Sequence, residues 1–342
     1  MTQLINYKSK SYIIAELGLN HDGNFQVLKK MIKEAKESGC DAIKLQSLYF
    51  NSTETEKTLN LKKVTFKKKT ISLGEYLKKI LLNDKQHFII SQFCKKLKID
   101  LISTPFSIDH IDLLKKIKVK KIKISSQDII HLHLIKKAAM TNLPLIISTG
   151  MASLDEIKAA VRLIKKYNNK KITILHCLSS YPSKPEELNL LRILSLKSFF
   201  KDCTIGFSDH TKDTNVAMIA NLLGAEVFEK HFTHNKKAEG FDHSMSLNAE
   251  EMKQYCKNLK ELKKILGDYN YRKILDKKSR IAMRRSLVAK YTLEPGKKIK
   301  LSDLEFKRPG NGILVNKISK IIGKKTKRKI NRDQQISLLD LK

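Results

Sequence analysis

Short runs of apolar, often β-branched residues alternate with amphipathic stretches along most of the chain. The first run, YIIAELGLN, starts at position 12 and precedes a helical pattern that ends at Gly39. The apolar face of that helix is formed by Leu28, Met31, Ile32 and Ala35. Comparable apolar runs start near residues 41, 101, 121, 144, 172, 203 and 225. The pattern therefore predicts eight strands that alternate with helices.

This alternation predicts a parallel barrel. Eight strand and helix units within about 265 residues match a (β/α)8 TIM barrel in the α/β class. A doubly wound open sheet is the alternative, but it more often has about five to seven strands and a Gly-rich first turn, which is absent here. Helix-start signals agree with the alternation: Ser153 and Glu156 form a capping-box pattern, and Asp213 is expected to open a helix that ends at Gly224.

Two segments depart from the barrel pattern. The stretch 50–83 is longer than an ordinary connection and rich in Lys, Thr and Asn, which predicts a lid or a mobile excursion over the barrel top. From about residue 280 the chain changes to short strands and turns with Pro and Gly, as in LEPGKKI, KRPGNGI and IIGKKT. We therefore predict a barrel domain over 1–270, a linker over 271–283 and a small C-terminal domain over 284–342.

The charge balance is strongly basic. The 342 residues include 68 Lys and Arg against 34 Asp and Glu, a net charge of +34 and a pI of about 9.8. Phosphate contacts in nucleic acids would suit this charge, but nine of the 68 are Arg, and Lys is scattered over every helical segment. Base-reading interfaces rely on the Arg fork, which Lys cannot copy. We interpret the excess mainly as a solvated surface and expect no nucleic-acid partner.

Cysteine usage and hydropathy indicate the compartment. The five cysteines are odd in number, far apart and without a CxxC pair, so neither a disulfide framework nor a structural zinc site is predicted. No apolar run reaches the roughly 18 residues of a membrane span, and MTQLINYKSK at the start has no apolar signal core. We expect a cytoplasmic protein with no membrane partner.

Polar residues stand at the ends of all eight predicted strands, where TIM barrels carry their catalytic groups. A single polar residue at a strand end is usually a turn or cap residue, but a complete set indicates a site. The set comprises Glu16 and Asn20, Lys44 and Gln46, Ser103 and Thr104, Lys123 and Ser126, Ser148 and Thr149, His176 and Ser179, Ser208 with Asp209 and His210, and Glu229 with His231.

Two lysines in this set suggest the substrate class. Lys44 and Lys123 lie within apolar strands, where an unpaired ammonium group would be costly. Together with the hydroxyls of Thr104, Ser126 and Ser148, they could surround a small phosphate and carboxylate. The sequence therefore predicts a phosphorylated acid as substrate. The alternative is that one lysine extends to solvent.

Histidines and one glutamate add further chemistry. His210 and His231 end neighbouring predicted strands, and two imidazoles suit Mn²⁺, Zn²⁺ or Fe²⁺ held partly by water. Glu16 lies between apolar residues, where burial would raise its pKa and fit it for general acid or base work, unless it pairs with one of the lysines. Spacing alone leaves three competing histidine ligands, His21, His234 and His243.

The motifs together resemble the N-acetylneuraminate (sialic acid) synthase family with its legionaminate and pseudaminate relatives. They run in family order over nearly the whole chain, and their combination is highly specific. The matching segments are IAELGLNHDG at 14, IKLQS at 43, STPF at 103, KISS at 123, STGMA at 148, LHCLSSYP at 175, GFSDHT at 206, EKHFT at 229 and KRPGNG at 307.

The resemblance implies a barrel followed by an antifreeze-like (SAF) domain, in a homodimer whose C-terminal domain reaches the partner's active site. Such enzymes condense phosphoenolpyruvate with an open-chain N-acetylated hexose, giving a nine-carbon 2-keto acid and phosphate. The resemblance implies a divalent ion, Mn²⁺ foremost with Mg²⁺ or Co²⁺ possible, on His210 and His231. By position, phosphoenolpyruvate would contact Lys44, Thr104, Lys123, Ser126, Ser148, Ser179, Ser208 and His210.

The resemblance also implies roles at the sugar end. Glu16 would manage a proton, and Arg308 of the other subunit would recognise the N-acyl group. Departures from the family pattern at Gln127, Asp128 and Ser179, and in KKAEGF before Asp242, leave the natural sugar open. The sugar would contact Gln46, Tyr181 and Asp242.

N-acetylmannosamine, giving N-acetylneuraminate, is the first acceptor to consider. Legionaminate or pseudaminate synthesis from a 6-deoxy di-N-acetylated hexose is the alternative within the same chemistry. A keto-sugar-phosphate synthase is disfavoured by the C-terminal domain with its Arg308. From other classes, GKKTKRKINR at 323–332 leaves a basic nucleic-acid-binding protein open, and an inactive dimeric scaffold is opposed by the intact candidate residues.

Overall fold

The computed structural model describes residues 11–240, 242–267 and 276–342. The chain divides into two compact units, Met1–Gly267 and Asp268–Lys342. Residues 271–275 of the predicted linker, the MTQLINYKSK segment and Phe241 of the KKAEGF segment lie outside the described residues. The later part of the predicted linker forms a helix, Lys277–Met283.

Strands and helices alternate as the apolar pattern predicts. The strands are β1 (Tyr12–Gly18), β2 (Ala42–Ser47), β3 (Lys63–Phe66), β4 (Lys69–Ser72), β5 (Asp100–Pro105), β6 (Lys121–Ile124), β7 (Leu145–Ser148), β8 (Ile172–His176), β9 (Thr204–Asp209), β10 (Val227–His231), β11 (Ser286–Ala289) and β12 (Leu304–Lys307). The helices are α1 (Phe25–Glu37), α2 (Glu56–Leu61), α3 (Leu73–Ile80), α4 (Asp84–Leu97), α5 (Ile108–Lys116), α6 (Leu132–Met140), α7 (Leu154–Tyr167), α8 (Arg192–Phe199), α9 (Val216–Leu222), α10 (Ala249–Leu266) and α11 (Lys277–Met283).

A closed parallel barrel forms the first unit. In the described part of the chain, its eight strands follow the order β1, β10, β9, β8, β7, β6, β5, β2. Each predicted strand position holds one of these barrel strands, so the predicted TIM barrel is confirmed and the open sheet is wrong. The main core lies between the barrel and its helices and includes the predicted α1 face, Leu28, Met31, Ile32 and Ala35.

Helix ends follow local hydrogen-bond chemistry. The predicted capping box of Ser153 and Glu156 is present at the start of α7. The prediction that Asp213 opens a helix is wrong, because the Asp213 carboxylate accepts the amide of Asn215 in a turn and α9 begins at Val216. Gly224, at φ +101°, follows the helix end as expected.

The 50–83 excursion is folded. It consists of α2, the antiparallel hairpin of β3 and β4, and α3, which begins with a capping box of Ser72 and Glu75. These elements bury an apolar cluster of their own, comprising Leu59, Val64, Phe66, Leu73, Tyr76, Leu77 and Ile80. This packing favours the first of the two expectations, a lid over the barrel top, over a mobile excursion.

The second unit has a small core beneath short strands and turns. β11 pairs antiparallel with β12, and isolated bridges join the turns around them. Its buried residues are Leu287, Ala289, Leu293, Ile299, Leu304, Ile321, Ile330, Ile336 and Leu341. Among all described residues of the chain, no helix combines the length and apolar character that crossing a bilayer requires.

Candidate active site

The barrel interior changes from apolar to polar along the strands. Successive side chains of a strand point to opposite faces, so positions two residues apart face the same way. Near the amino ends, the interior holds Ile14, Ala42, Ile102, Ile146, Leu175 and Val227. Two residues further along the same strands stand Glu16, Lys44, Thr104, Ser148, Cys177 and Glu229, all lining one cavity.

This cavity, of about 540 Å³, opens at the carboxyl ends of the strands. Arg308 belongs to the second unit, where its Nε donates a hydrogen bond to the carbonyl of Met283 at 3.1 Å. Every other predicted site residue lines the cavity: Glu16, Lys44, Gln46, Thr104, Lys123, Ser126, Ser148, Ser179, Tyr181, Ser208, His210, His231 and Asp242.

A buried cluster of two lysines and two glutamates forms the cavity floor. Lys44 Nζ lies 2.6 Å from Glu16 Oε2 and 3.3 Å from Glu229 Oε2, and Lys123 Nζ lies 3.4 Å from Glu229 Oε1. All four side chains are at most 7% exposed. Glu16 thus pairs with a lysine, the second of its two expected states. The lysines are held inside by carboxylates and do not extend to solvent.

Burial and neighbouring charges shift the pKa values within this cluster. Burial lowers the pKa of Lys44 to about 8, with Glu229 opposing the shift and Lys123 reinforcing it. Burial alone would raise the pKa of Glu229, but the ammonium groups of Lys123 and Lys44 outweigh it and hold that pKa well below its usual range. Glu229 is therefore a carboxylate, and Lys44 sits close to its titration point near neutral pH.

Hydroxyl groups surround the lysines. Thr104 Oγ1 accepts a hydrogen bond from Lys44 at 3.3 Å, and the hydroxyls of Ser126 and Ser179 lie 3.3 Å apart. Ser208 Oγ donates to Glu229 Oε1 at 2.9 Å. Ser148 Oγ is buried and, among the described residues, has no hydrogen-bond partner. Such a hydroxyl is available to a bound ligand.

The two predicted metal ligands face each other across one wall. The rings of His210 and His231 lie edge to face with centroids 5.4 Å apart. Burial lowers the pKa of each imidazole to about 3, so both are neutral. His210 Nδ1 contacts the carbonyl of Leu178, which leaves Nε2 with its lone pair, 3.2 Å from Ser208 Oγ. His231 Nδ1 is buried without a hydrogen-bond partner in the described residues and lies 3.5 Å from Asp242 Oδ2.

This donor set fits a divalent ion that keeps part of its coordination for other ligands. Neutral imidazoles are the form that binds metal, and an unpartnered buried nitrogen such as Nδ1 of His231 is otherwise costly. In the described residues, no group of three or more His, Cys, Asp or Glu side chains is arranged to hold a metal. An ion here would therefore rest on His210 and His231 and take its other ligands from water or substrate.

The three competing histidines, His21, His234 and His243, do not line the cavity. His243 lies 2.7 Å from the hydroxyl of Thr233 and 3.1 Å from a carboxylate oxygen of Asp22. His21 accepts the amide of Gly23, and His234 packs edge to face on His243. These contacts make the three histidines structural supports of the loops around the cavity.

Other strand-end residues point out of the barrel and stabilise it. Asn20 donates to the carbonyl of Phe232, and Ser103 lies 2.7 Å from Ser47 Oγ. Three more face outward: Thr149 donates to the carbonyl of Leu175, His176 contacts the carbonyl of Leu188, and Asp209 pairs with Lys230. Asp128 accepts the hydroxyl of Ser125 at 2.6 Å.

The open end of the cavity combines an aromatic ring with polar groups. Tyr181 stacks on His210 with ring centroids 4.2 Å apart and remains 51% exposed. Gly18 has φ +47°, and a Cβ there would lie 3.0 Å from Glu16 Oε1, 3.4 Å from Gln46 Nε2 and 3.8 Å from Asp242 Oδ2. The glycine therefore keeps the space among these three side chains open.

Several cavity residues were not assigned a role from the sequence, among them Glu229 and five residues of the 50–83 excursion. Glu229 was noted only beside the histidines, although its inward position in VFEKH, two residues before His231, is a signal for it. The excursion adds Thr53, Glu54, Lys62, Leu73 and Leu77 to the wall. Only the unusual length of that segment indicated its role.

Comparisons with known proteins agree with this architecture. The NeuB family model matches residues 31–271, and the SAF domain model matches residues 284–342. The N,N'-diacetyllegionaminic acid synthase of Campylobacter jejuni is 36% identical over 334 residues, which cover 96% of this chain and 99% of the relative. The pseudaminic acid synthase of Helicobacter pylori is 32% identical over 337 residues, covering 96% and 97%.

A solved structure extends the similarity to three dimensions. The N-acetylneuraminic acid (sialic acid) synthetase of Leptospira borgpetersenii, crystallised in complex with citrate, is similar with a TM-score of 0.70 and 31% identity. The match covers 78% of this chain and 88% of that one.

A parallel barrel with ionisable groups buried at its strand ends is the architecture of an enzyme. The chain belongs to the NeuB family and carries a SAF domain at its C-terminal end. The predicted family, the C-terminal SAF domain and the predicted class of synthase enzyme are confirmed.

Proposed function

We propose that this enzyme condenses phosphoenolpyruvate with the open-chain aldehyde of an N-acetylated hexose, giving a nine-carbon nonulosonic acid and phosphate. One observation carries the proposal. Lys44 and Lys123 are buried on separate strands of one cavity, and the hydroxyls of Thr104, Ser126 and Ser148 line the same space. Ammonium and hydroxyl donors in this arrangement suit a small molecule with a phosphate and a carboxylate.

Charge balance supports a divalent ion beside this substrate. When ionised, the lysines and glutamates of the floor cancel each other's charge. Phosphoenolpyruvate brings several negative charges into the same buried space, which is unfavourable without added cations. His210 and His231 would hold Mn²⁺ there, with Mg²⁺ or Co²⁺ as alternatives. A bound ion supplies polarisation of a carbonyl oxygen.

The residues of the chain hold the reacting groups in place. Lys44, Lys123 and Ser148 fix the phosphate and carboxylate, so that C3 of phosphoenolpyruvate can form its bond to the aldehyde carbon. Water then adds at C2, and the bond from C2 to the phosphate oxygen breaks. Glu16, 2.6 Å from Lys44 Nζ, is the group we assign to proton transfer in these steps.

The sugar would occupy the open end of the cavity. Gln46 and Asp242 border the space at Gly18, and Tyr181 offers a half-exposed ring beside it. These groups suit hydroxyl, amide and apolar ring-face contacts of an N-acetylated sugar. The acceptor is N-acetylmannosamine or a 6-deoxy di-N-acetylated hexose, the type that legionaminate and pseudaminate synthases use.

Phosphate release identifies the reaction and the acceptor together. Phosphoenolpyruvate, Mn²⁺ and the purified enzyme are incubated with N-acetylmannosamine, with each 6-deoxy di-N-acetylated hexose, or with no sugar. We expect release with one class of sugar and a product mass equal to both substrates plus water minus phosphoric acid. Equal release with no sugar, or silence with every sugar by a folded protein, would contradict the proposal.

The kcat/KM for phosphoenolpyruvate is expected to fall above about pH 8. Burial lowers the pKa of Lys44 to about 8, and the ammonium loses its charge as pH rises through that value. Since only the charged form attracts the anionic substrate, kcat/KM should drop about tenfold per pH unit beyond it. In Lys44→Arg, whose guanidinium stays charged, the alkaline limb should move upward; an unmoved limb would assign the titration to another group.

Arg308→Ala is expected to raise the KM for the sugar more than that for phosphoenolpyruvate. Arg308 is exposed in the second unit, and we propose that it recognises the N-acyl group from the partner subunit of a homodimer. Mixing Arg308→Ala with Lys123→Met subunits tests the origin of the arginine. If Arg308 acts on the partner's site, one of the two sites in each mixed dimer is complete, so at most about one quarter of all sites regain activity. If Arg308 acts within its own subunit, no site is complete and no activity returns.

A further inference from the structure

A fully buried ion pair lies on the outer face of the barrel, behind the cavity. Asp209 at the end of β9 and Lys230 on β10 face each other in register, with Nζ 3.0 Å from Oδ2 and neither side chain exposed. The ammonium also lies 5.8 Å from the ring centre of Tyr255 on α10. Strand alternation turns both side chains away from the cavity, so neither touches a substrate.

The pair also binds the loop that follows β9. Lys230 Nζ donates to the carbonyls of Thr211 at 2.6 Å and Asp213 at 3.3 Å. Asp209 Oδ1 accepts the amide of Thr211 at 2.9 Å and its hydroxyl at 2.8 Å. His210 stands between Asp209 and Thr211, so the residues on both sides of it are fixed by this network.

The inner face of the same strands carries a matching pair. Ser208 stands in register with Glu229, one position before the outer pair, and its hydroxyl donates to Glu229 Oε1 at 2.9 Å. Ser208 Oγ also lies 3.2 Å from His210 Nε2. Since the inner and outer pairs are successive rungs of one ladder, a shift in the outer pair also moves Glu229 and His210.

A buried ion pair is a poor way to gain stability. Its desolvation is costly, and well-packed apolar residues of similar volume often replace it without loss. An apolar side chain cannot, however, hold two loop carbonyls, whereas the ammonium of Lys230 donates to the carbonyls of Thr211 and Asp213 while it forms an ion pair with Asp209. Orientation of the loop is what only the charged pair provides.

We propose that Asp209 and Lys230 are positioning residues that hold His210 and Glu229 in their working places in the cavity. Neither residue was assigned a role in the reaction by the sequence. The kinetic part of this inference rests on the proposed function, but the placement of His210 does not. Removing the pair should therefore change both catalysis and the surroundings of the His210 ring.

The test uses the double variant Asp209→Asn with Lys230→Met, which removes both charges and leaves no uncompensated one. Methionine matches lysine closely in length and adapts to irregular spaces. Lys137→Met is the matched control, because Lys137 forms an ion pair with Asp112, with 2.6 Å between Nζ and Oδ2, and neither residue lines the cavity. The readouts are the melting temperature, kcat/KM, and the ring NMR signals of His210 without metal or substrate, assigned with His210→Gln.

We expect the double variant to fold, to lose about 10- to 100-fold in kcat/KM, as outer supports of metal ligands do, and to shift the His210 signals. The control should keep wild-type values. A folded double variant with wild-type kcat/KM and unmoved His210 signals would overturn the inference. If the wild type turns over no sugar, the proposed function fails, and the His210 signals alone decide the inference.

A milder variant covers the case in which the double variant does not fold. Thr211→Val keeps the shape of the side chain but loses the hydroxyl, which donates to Asp209 at 2.8 Å and accepts the amide of Asp213 at 3.2 Å and Lys230 Nζ at 3.4 Å. We expect kcat/KM to fall at least about fivefold, the effect of losing one such bond, with His210 signals shifted in the same direction as in the double variant. Unchanged signals together with unchanged kcat/KM in Thr211→Val would overturn the inference.

Discussion

Lys123→Met is expected to lower kcat/KM for phosphoenolpyruvate by about 10²- to 10³-fold while the protein stays folded. The loss follows from removing a buried ammonium that binds an anion, a change that costs several kcal/mol. Within the described residues, the contact of Lys123 Nζ is the 3.4 Å pair with Glu229. Most of its three donors are therefore available to a ligand, more than for Lys44, which contacts Glu16, Glu229 and Thr104.

The fold should survive because Glu229 keeps other partners. Its carboxylate still meets Lys44 Nζ at 3.3 Å and the Ser208 hydroxyl at 2.9 Å, so Glu229 stays paired even though the floor then has one more carboxylate than ammonium group. Steady-state kinetics with each substrate varied, calorimetric titration with phosphoenolpyruvate, and a melting curve measure the effect. Lys137→Met, at a surface pair with Asp112, is the matched control.

Two results would contradict the prediction for Lys123→Met. A Lys123→Met enzyme that binds phosphoenolpyruvate with wild-type affinity would remove this lysine from the anion site. An increase confined to the KM of the sugar would assign the lysine to the acceptor end instead. Either result would leave Lys44 as the main cation of the site, and the pH dependence described above would then carry the assignment.

The strand positions could be predicted because parallel barrel strands are continuous apolar runs between helices. The same property hides which residues face inward, since strands buried on both faces are apolar at every position. The sequence alone therefore does not separate Thr104, which lines the cavity, from Ser103, which faces away and bonds to Ser47. The closure of the barrel decides which of two neighbouring residues faces inward. At the end of β9, it places Ser208 in the cavity and Asp209 in the ion pair behind the cavity.

The parts that the sequence did not predict depend on distant strands. Glu229 matters because Lys44 from β2 and Lys123 from β6 both reach its carboxylate. No local pattern contains that convergence. Likewise, 50–83 shows its length and polarity in the sequence, but its placement over the cavity arises from the packing of α2, α3 and their hairpin. Both features therefore depend on tertiary contacts and not on the secondary-structure propensity of the local sequence.

His231→Ala is expected to weaken Mn²⁺ binding at least about 100-fold and to abolish metal-dependent turnover without unfolding the protein. Loss of an outer support of a metal ligand already costs up to about that factor, so loss of a ligand should cost no less. The fold should tolerate the change because, in the described residues, Nδ1 of His231 makes no hydrogen bond that alanine would break.

The measurement separates binding from activity. Free Mn²⁺ is followed by electron paramagnetic resonance during titration of the protein, and turnover is measured over the same range of Mn²⁺. His234→Ala is the control, since His234 is a nearby histidine whose Nδ1 is also unpartnered in the described residues but which does not line the cavity. Full Mn²⁺ affinity in His231→Ala would reject His231 as a ligand. Full affinity with lost turnover would instead assign His231 to the substrate, because the neutral imidazole would then act as a hydrogen-bonding group beside Asp242.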